Sequence, residues 1–179
     1  GLGDVYKRQH IMSIKTCNIE KWRLVIMIIS SATHQRIVKV PKSYLWKRMS
    51  DFKNIGTLLP PPIIDAVKCE SNEIGALRYL TLGEKQKYPG EIIERLEARY
   101  NQSFFVYSIM DTSCLPVRNY IAKITLKEIS EKQTEALISS NWVDKSSSPE
   151  EMKKMFEGLY ELMFLNSETQ YIEINNNGS

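Results

Sequence analysis

Apolar positions change their spacing along the chain, and the changes divide it into elements. Gln35-Arg36-Ile37-Val38-Lys39-Val40 carries the pattern of a strand, and Pro41 stops it. From Lys42 to Phe52 the spacing lengthens. Leu45, Met49 and Phe52 recur at helical intervals, which predicts a short helix with Ser43 as its N-cap. Asn54-Ile55-Gly56 breaks that run, a second helical piece covers Ile55 to Leu59, and Pro60-Pro61-Pro62 forbids its continuation. Strand-patterned runs then follow one another: Ile63–Glu70, Ala76–Leu82, Glu91–Tyr100, Phe104–Asp111, Asn119–Ile129 and Glu135–Asp144. Turn-forming residues separate them, so the succession predicts an antiparallel meander. Ser148-Pro149-Glu150-Glu151 returns the chain to helix, with Ser148 as N-cap, Pro149 at the first helical position and Glu151 completing a capping box. Met152, Met155, Phe156, Leu159, Tyr160, Met163 and Phe164 form one broad apolar face, which the sheet must cover. Beyond Leu165 the pattern collapses into a polar stretch that reads as a frayed tail. The fold class is α+β.

The hairpin from Phe104 to Leu126 draws attention because its faces are mixed. Val106, Ser108 and Met110 share one side of the first strand; Tyr120, Ala122 and Ile124 share one side of the second. A mostly apolar face with a few hydroxyls suits a small-molecule site. Arg78 and Glu94 add charge. If the turn between their strands is centred on Gln86, the two lie directly opposite on neighbouring strands, a guanidinium beside a carboxylate. Such a pair either holds the wall together as a salt bridge or orients a polar ligand group, with Glu94 as an acid or base. Tyr120 could donate a hydrogen bond to a ligand carbonyl or enolate, or pack its ring and find a backbone partner. The Met and aromatic stripe of the last helix is ordinary core, although flexible Met side chains also adapt to varied ligands. Lys85, Lys87 and Tyr88 sit on a turn that is expected to be solvated.

Composition narrows the function classes. The chain has 179 residues, 42% of them apolar and 25% charged, as expected of one soluble globular domain. A net charge of +3 with scattered Lys and Arg does not suggest nucleic-acid binding. Cys17, Cys69 and Cys114 show no metal or redox spacing, which disfavours a disulfide framework and favours a reducing, cytoplasmic setting. His10 and His34 both precede the expected domain, so a histidine-based metal site or triad has little to draw on, and neither metal nor cofactor is expected. The apolar run Leu24–Ile29 is too short to span a bilayer, so no integral membrane association is expected. GLGDVYKRQ reads as translated library-adapter sequence, with Met12 or Met27 as the expected start. The expected organisation is an N-terminal extension over 1–34, one domain over 35–165 and a tail over 166–179.

Several local stretches carry a resemblance. Val38-Lys39-Val40-Pro41 through Leu45-Trp46 to Ser50-Asp51-Phe52, Gly75-Ala76-Leu77-Arg78 with Glu94-Arg95-Leu96, Leu115-Pro116-Val117-Arg118-Asn119-Tyr120, and Asn141-Trp142-Val143-Asp144 resemble segments of the START-like (SRPBCC) superfamily. The branch they look most like is that of the polyketide cyclase/dehydrase and lipid-transport families. The resemblance implies a helix-grip fold, a curved antiparallel sheet of about seven strands wrapped around the long C-terminal helix, with two short helices after the first strand. It also implies a cavity between sheet and helix, seen by Ile92, Glu94 and Leu96, by Ser108 and Met110, by Tyr120 and Ala122, by Ser139 and Asn141, and by Phe156, Tyr160 and Phe164. Trp142 would then point outward. Ser108, Ser139 and Asn141 would tune the polarity of the pocket or bind internal water, and none has a histidine to activate it. Glu94-Arg95-Leu96 and Asn119-Tyr120 also resemble strands of abscisic-acid receptors. Leu115-Pro116-Val117 replaces their His-Arg-Leu latch, and their Ser-Gly-Leu-Pro gate and ligand-pairing lysine are absent, which argues against that function. The implied function is binding of a small hydrophobic, lipid- or polyketide-like molecule. The alternatives are a cyclase or dehydratase using Glu94 and Tyr120, and an interaction module with a filled core.

Overall fold

The computed structural model describes residues 29–177. GLGDVYKRQ, His10, Met12, Cys17, Met27 and most of the Leu24–Ile29 run lie outside the described residues. Strand β1 (Ile29–Val38) is followed by helix α1 (Lys42–Ser50), a single 3-10 turn (Phe52–Asn54) and helix α2 (Ile55–Leu58). Strands β2 (Ile64–Cys69), β3 (Leu77–Leu82), β4 (Gly90–Tyr100), β5 (Phe104–Ile109), β6 (Val117–Ser130) and β7 (Gln133–Asp144) then run as a meander, and helix α3 (Pro149–Asn177) closes the chain. The seven strands form one antiparallel sheet in the order β1-β7-β6-β5-β4-β3-β2. The chain therefore leaves β1 at one edge, crosses to β2 at the other by way of the short helices, and returns strand by strand. Helix α3 lies along the concave side, with Met152, Phe156, Tyr160, Met163, Phe164 and Ser167 all buried.

The structure differs from the sequence expectations at both ends and at the cap of α1, while α3 begins at Pro149 with Ser148 before it, as expected. β1 begins before residue 35, and His34 is part of it, its Nε2 lying 2.5 Å from Glu161 of α3. Helix α3 continues through the stretch expected to fray. Tertiary contacts hold it there: Asn166 donates to the Leu58 carbonyl at 2.6 Å, Gln170 to the Thr57 carbonyl at 2.7 Å, and Glu168 accepts from Arg36 at 2.8 Å and from the Lys39 N–H at 2.6 Å. Local propensity was too weak to reveal this, because packing supplies most of a helix's stability. Ser43 is the second residue of α1 rather than its cap, which Pro41 occupies. Glu151 pairs with Lys87 of the β3–β4 turn, and the Ser148 N–H donates to Ser146 Oγ at 3.3 Å.

The interior divides in two. Toward β1 and β7, α1 and the later turns of α3 bury Val38, Leu45, Met49, Ile124, Ala136, Ile138 and Phe164 almost completely. Toward β2, β3 and β4, α2 and the first turns of α3 face the sheet across open space.

Candidate functional site

That space is a cavity of about 190 Å³. Its walls are aliphatic: Leu80 and Leu82 from β3, Ile92 from β4, Ile109 from β5, Leu115 from the β5–β6 loop, Ile55 and Leu59 from α2 and the residue after it, and Met155, Leu159 and Met163 from α3. Gln86, Lys87 and Tyr88 of the β3–β4 turn border it. The alternation of each strand brings these residues to one face, since positions two apart share a side.

Where the cavity meets the packed core, a polar belt crosses the concave face, one residue from each successive element. Arg78 (β3), Glu94 (β4), Tyr107 (β5), Tyr120 (β6) and Tyr160 (α3) all border the cavity, and Ser140 (β7) ends the series behind Tyr160. The next inward residues, Leu96, Phe105 and Ala122, lie beyond the belt in closed core. Register explains the alignment. Arg78 is paired with Glu94 across β3–β4, Tyr107 lies opposite Leu96 and Ala122, and Ile109 lies opposite both Glu94 and Tyr120. A bulge between Arg118 and Ile121 in β6, with Asn119 at a φ of 50°, shifts the strand's phase after Val117 so that Tyr120 points inward. The Asn119 N–H donates to Asp111 Oδ1 at 2.9 Å, which holds that bulge.

Each belt group has a defined state. Arg78 donates through Nε to Glu94 Oε2 and through Nη1 to the Phe52 carbonyl at 3.1 Å, and its guanidinium lies 4.0 Å from the centre of the Phe52 ring. Both members of this pair are buried, with 4% and 5% of their surface exposed. Glu94 Oε1 has no hydrogen-bond partner among the described residues. Tyr160 O–H donates to Ser140 Oγ at 2.6 Å, Tyr120 and Tyr160 hydroxyls are 2.7 Å apart, and those of Tyr107 and Tyr120 are 3.5 Å apart. Burial pushes the phenol of Tyr160 up to about 12 from its ordinary value of 10.0. It drives those of Tyr107 and Tyr120 well above that ordinary value too, again by desolvation first. All three are therefore neutral hydroxyls near neutral pH, able to donate but poor as bases. Among the described residues no group of three or more His, Cys, Asp and Glu side chains could hold a metal ion.

Of the residues expected to face the cavity, Arg78, Ile92, Glu94, Tyr120, Phe156 and Tyr160 border it. Leu96, Ala122 and Phe164 are inward but sit below the belt in packed core. Ser108 and Met110 do not face the cavity. Ser108 is on the outer face of β5, where it donates to Glu97 Oε1 at 2.5 Å, and Met110 is exposed just past the strand end. Ser139 and Asn141 are likewise on the outer face of β7, with Thr134, Ala136, Ile138, Ser140 and Trp142 on the inner one. Trp142 is buried rather than outward, its ring centre 4.9 Å from that of Phe156, with its indole N–H on Asp144 Oδ2 at 2.9 Å. Both errors are single-residue slips of register, which reverse every side chain of a strand. They hid Tyr107 and Ile109. The signal for them was available: Tyr120, Ala122 and Ile124 face inward, so their antiparallel partners Ile109, Tyr107 and Phe105 must do so as well.

Three solved structures share this architecture. An uncharacterized protein of Bacillus thuringiensis superposes with a TM-score of 0.64 at 22% identity, over 80% of this chain and 99% of that one. The protein XoxI of Bacillus cereus gives 0.64 at 23% identity, over 82% and 98%. Norcoclaurine synthase of Thalictrum flavum, solved in complex with dopamine and hydroxybenzaldehyde, gives 0.66 at 13% identity, over 82% and 88%. The chain has the helix-grip fold. No family model and no curated protein matches the sequence, so the likeness is one of fold. In helix-grip terms, the gripped helix is α3 and the hollow lies under its first turns. No helix among the described residues is long and apolar enough to cross a membrane.

Proposed function

We propose that the protein binds a small, largely apolar molecule in the cavity between α3 and the sheet. The observation that carries this reading is the pairing of an aliphatic hollow with a floor of hydrogen-bonding groups, the usual composition of a small-molecule site. Volume sets the size of the ligand. An apolar cavity of about 150 Å³ suffices for benzene, and drug-sized ligands occupy about 300–1,000 Å³. A space of about 190 Å³ suits a compound of about one or two rings. Of the lipid- or polyketide-like ligands that the START-like resemblance implies, a short or monocyclic one fits without displacing α3. Burial of its apolar surface would supply the affinity, and the belt would set its orientation. The direct test is calorimetric titration with a panel of monocyclic aromatics. Saturable binding that Ile92→Trp abolishes, with the variant still folded, supports the reading; heat of dilution alone sinks it.

A lyase or isomerase of the cyclase or dehydratase kind is the second reading. It is favoured by one feature, the unpartnered Oε1 of Glu94 on the cavity wall, a proton acceptor. Turnover of a candidate substrate that disappears in Glu94→Gln while binding persists is the result it requires. A cytoplasmic setting accompanies both readings and rests on the free thiols of Cys69 and Cys114.

A further inference from the structure

The belt distributes its protons unevenly, and the imbalance bears on what the cavity accepts. Tyr160 spends its proton on Ser140 Oγ at 2.6 Å, so at 2.7 Å from Tyr120 it must accept. Tyr120 therefore spends its proton on Tyr160. The remaining contact, between Tyr107 and Tyr120, spans 3.5 Å, beyond the usual range of about 2.5–3.0 Å for O–H···O. Tyr107 is thus the open end of a directed chain. Its residue is 6% exposed, it borders the cavity, and its hydroxyl proton has no good acceptor among the described residues. A buried donor without a partner is costly, and a ligand acceptor would relieve that cost.

Charge narrows the class further. Arg78 and Glu94 cancel each other in the same wall, with the guanidinium already committed to Glu94 and to the Phe52 carbonyl, and Lys87, the other cation at the border, is solvated and paired with Glu151. A carboxylate ligand would meet Glu94 as a like charge, and an ammonium ligand would meet Arg78; either would bring an uncompensated charge into an aliphatic space. We infer that the cavity selects an uncharged monocyclic or small bicyclic compound bearing a carbonyl-type acceptor, which accepts a hydrogen bond from the uncommitted hydroxyl of Tyr107. This rests on the binding reading above and specifies its ligand class. Tyr107, not Tyr120, is then the specificity-determining phenol.

Acetophenone and α-methylstyrene test this, because they share a shape and differ in the carbonyl oxygen. Both, with benzoate, are titrated into the full chain and into Tyr107→Phe by calorimetry. The expected result is that the variant binds acetophenone about three- to tenfold more weakly and binds α-methylstyrene unchanged. Benzoate should bind the unaltered protein more weakly than acetophenone. If both neutral probes bind but Tyr107→Phe affects neither, or weakens both equally, the ligand class is wrong and the binding reading stands. Benzoate binding more tightly than acetophenone also overturns the class. If no probe binds, the cavity reading falls and the inference falls with it. Should Tyr107→Phe not fold, the infrared carbonyl stretch of acetophenone bound to the unaltered protein decides. A shift below its value in hexane supports the hydrogen bond, and a hexane-like value overturns it.

Discussion

The same sheet and the same helix enclose both halves of the interior, yet one half is solid and the other hollow. On the β1–β7 side, α1 lies against β6 and β7 and contributes Leu45 and Met49, and large and small residues, Phe164, Ile138, Ala136 and Ala122, are buried there almost completely. On the β2–β4 side the covering element is α2, a helix of four residues that packs against β2 and α3. The helix face there turns half-buried: Met155 and Leu159 line space instead of filling it. Hydrophobicity does not separate the two regions, since both are aliphatic. What differs is how much side-chain volume the short helices deliver, and the belt from Arg78 to Tyr160 marks where the supply runs out. A close-packed interior is the rule for globular proteins, and the bounded apolar gap with its polar floor is the departure from that rule on which the binding proposal rests.

The largest contrast should come from truncating α3 on either side of the belt. Phe164→Ala, fully buried, should lose about 4 kcal/mol in urea unfolding, whereas Leu159→Ala should lose about 1 kcal/mol because it already borders a void. Equal losses would mean that the two halves are packed alike. Within the belt, Glu94→Leu should cost about 3 kcal/mol by leaving the Arg78 guanidinium buried and unpaired. Adding Arg78→Met should restore most of that, a coupling that a double-mutant cycle reads directly. If the double variant is no better than the single one, the pair is not an isolated buried unit.

The tyrosines give the belt a pH signature. Below the ordinary phenol value both states are protonated and nothing changes with pH. Between 10.0 and about 12 the unfolded chain releases the Tyr160 proton while the folded one keeps it, so stability falls as pH rises through that window. The loss should be about 2 kcal/mol for this group, with Tyr107 and Tyr120 adding to it. Tyr160→Phe should flatten the decline, and an unchanged slope would contradict the buried neutral phenol. Adding volume should change stability least. Leu159→Phe extends into free space and should be neutral or stabilising by about 1 kcal/mol while weakening ligand binding; Ala136→Leu meets closed packing and should cost about 1–3 kcal/mol.

Architecture was legible in the sequence because each element carries its own local signal: Pro41 and Pro60-Pro61-Pro62 as stops, the switch of spacing at Ser148-Pro149, and the symmetric placement of Arg78 and Glu94 about Gln86, which the register reproduces. Half of the site was legible for the same reason, as on β4, where Ile92, Glu94 and Leu96 face inward. The rest was not, because β5 is apolar on both faces and β7 carries a serine on each. Phe104 and Val106 compete with Phe105 and Tyr107, and Ser139 competes with Ser140, so alternation alone leaves the phase undetermined. On β7 the exposed Asn141 and the burial of Trp142 resolve it, and on β5 the pairing with β6 does. The continuation of α3 past Leu165 depends on contacts with β1, α1 and α2 that no local pattern contains.

The division of the interior can be observed without knowing the natural ligand. Titrating benzene into the methyl-labelled protein and following its NMR spectrum separates the two halves residue by residue. Saturable shifts are expected for the methyls of Leu80, Ile92 and Ile109, which border the cavity, and none for those of Ile124 and Ile138, which lie in closed core. Shifts spread evenly over both sets, or absent from the first, would contradict that division.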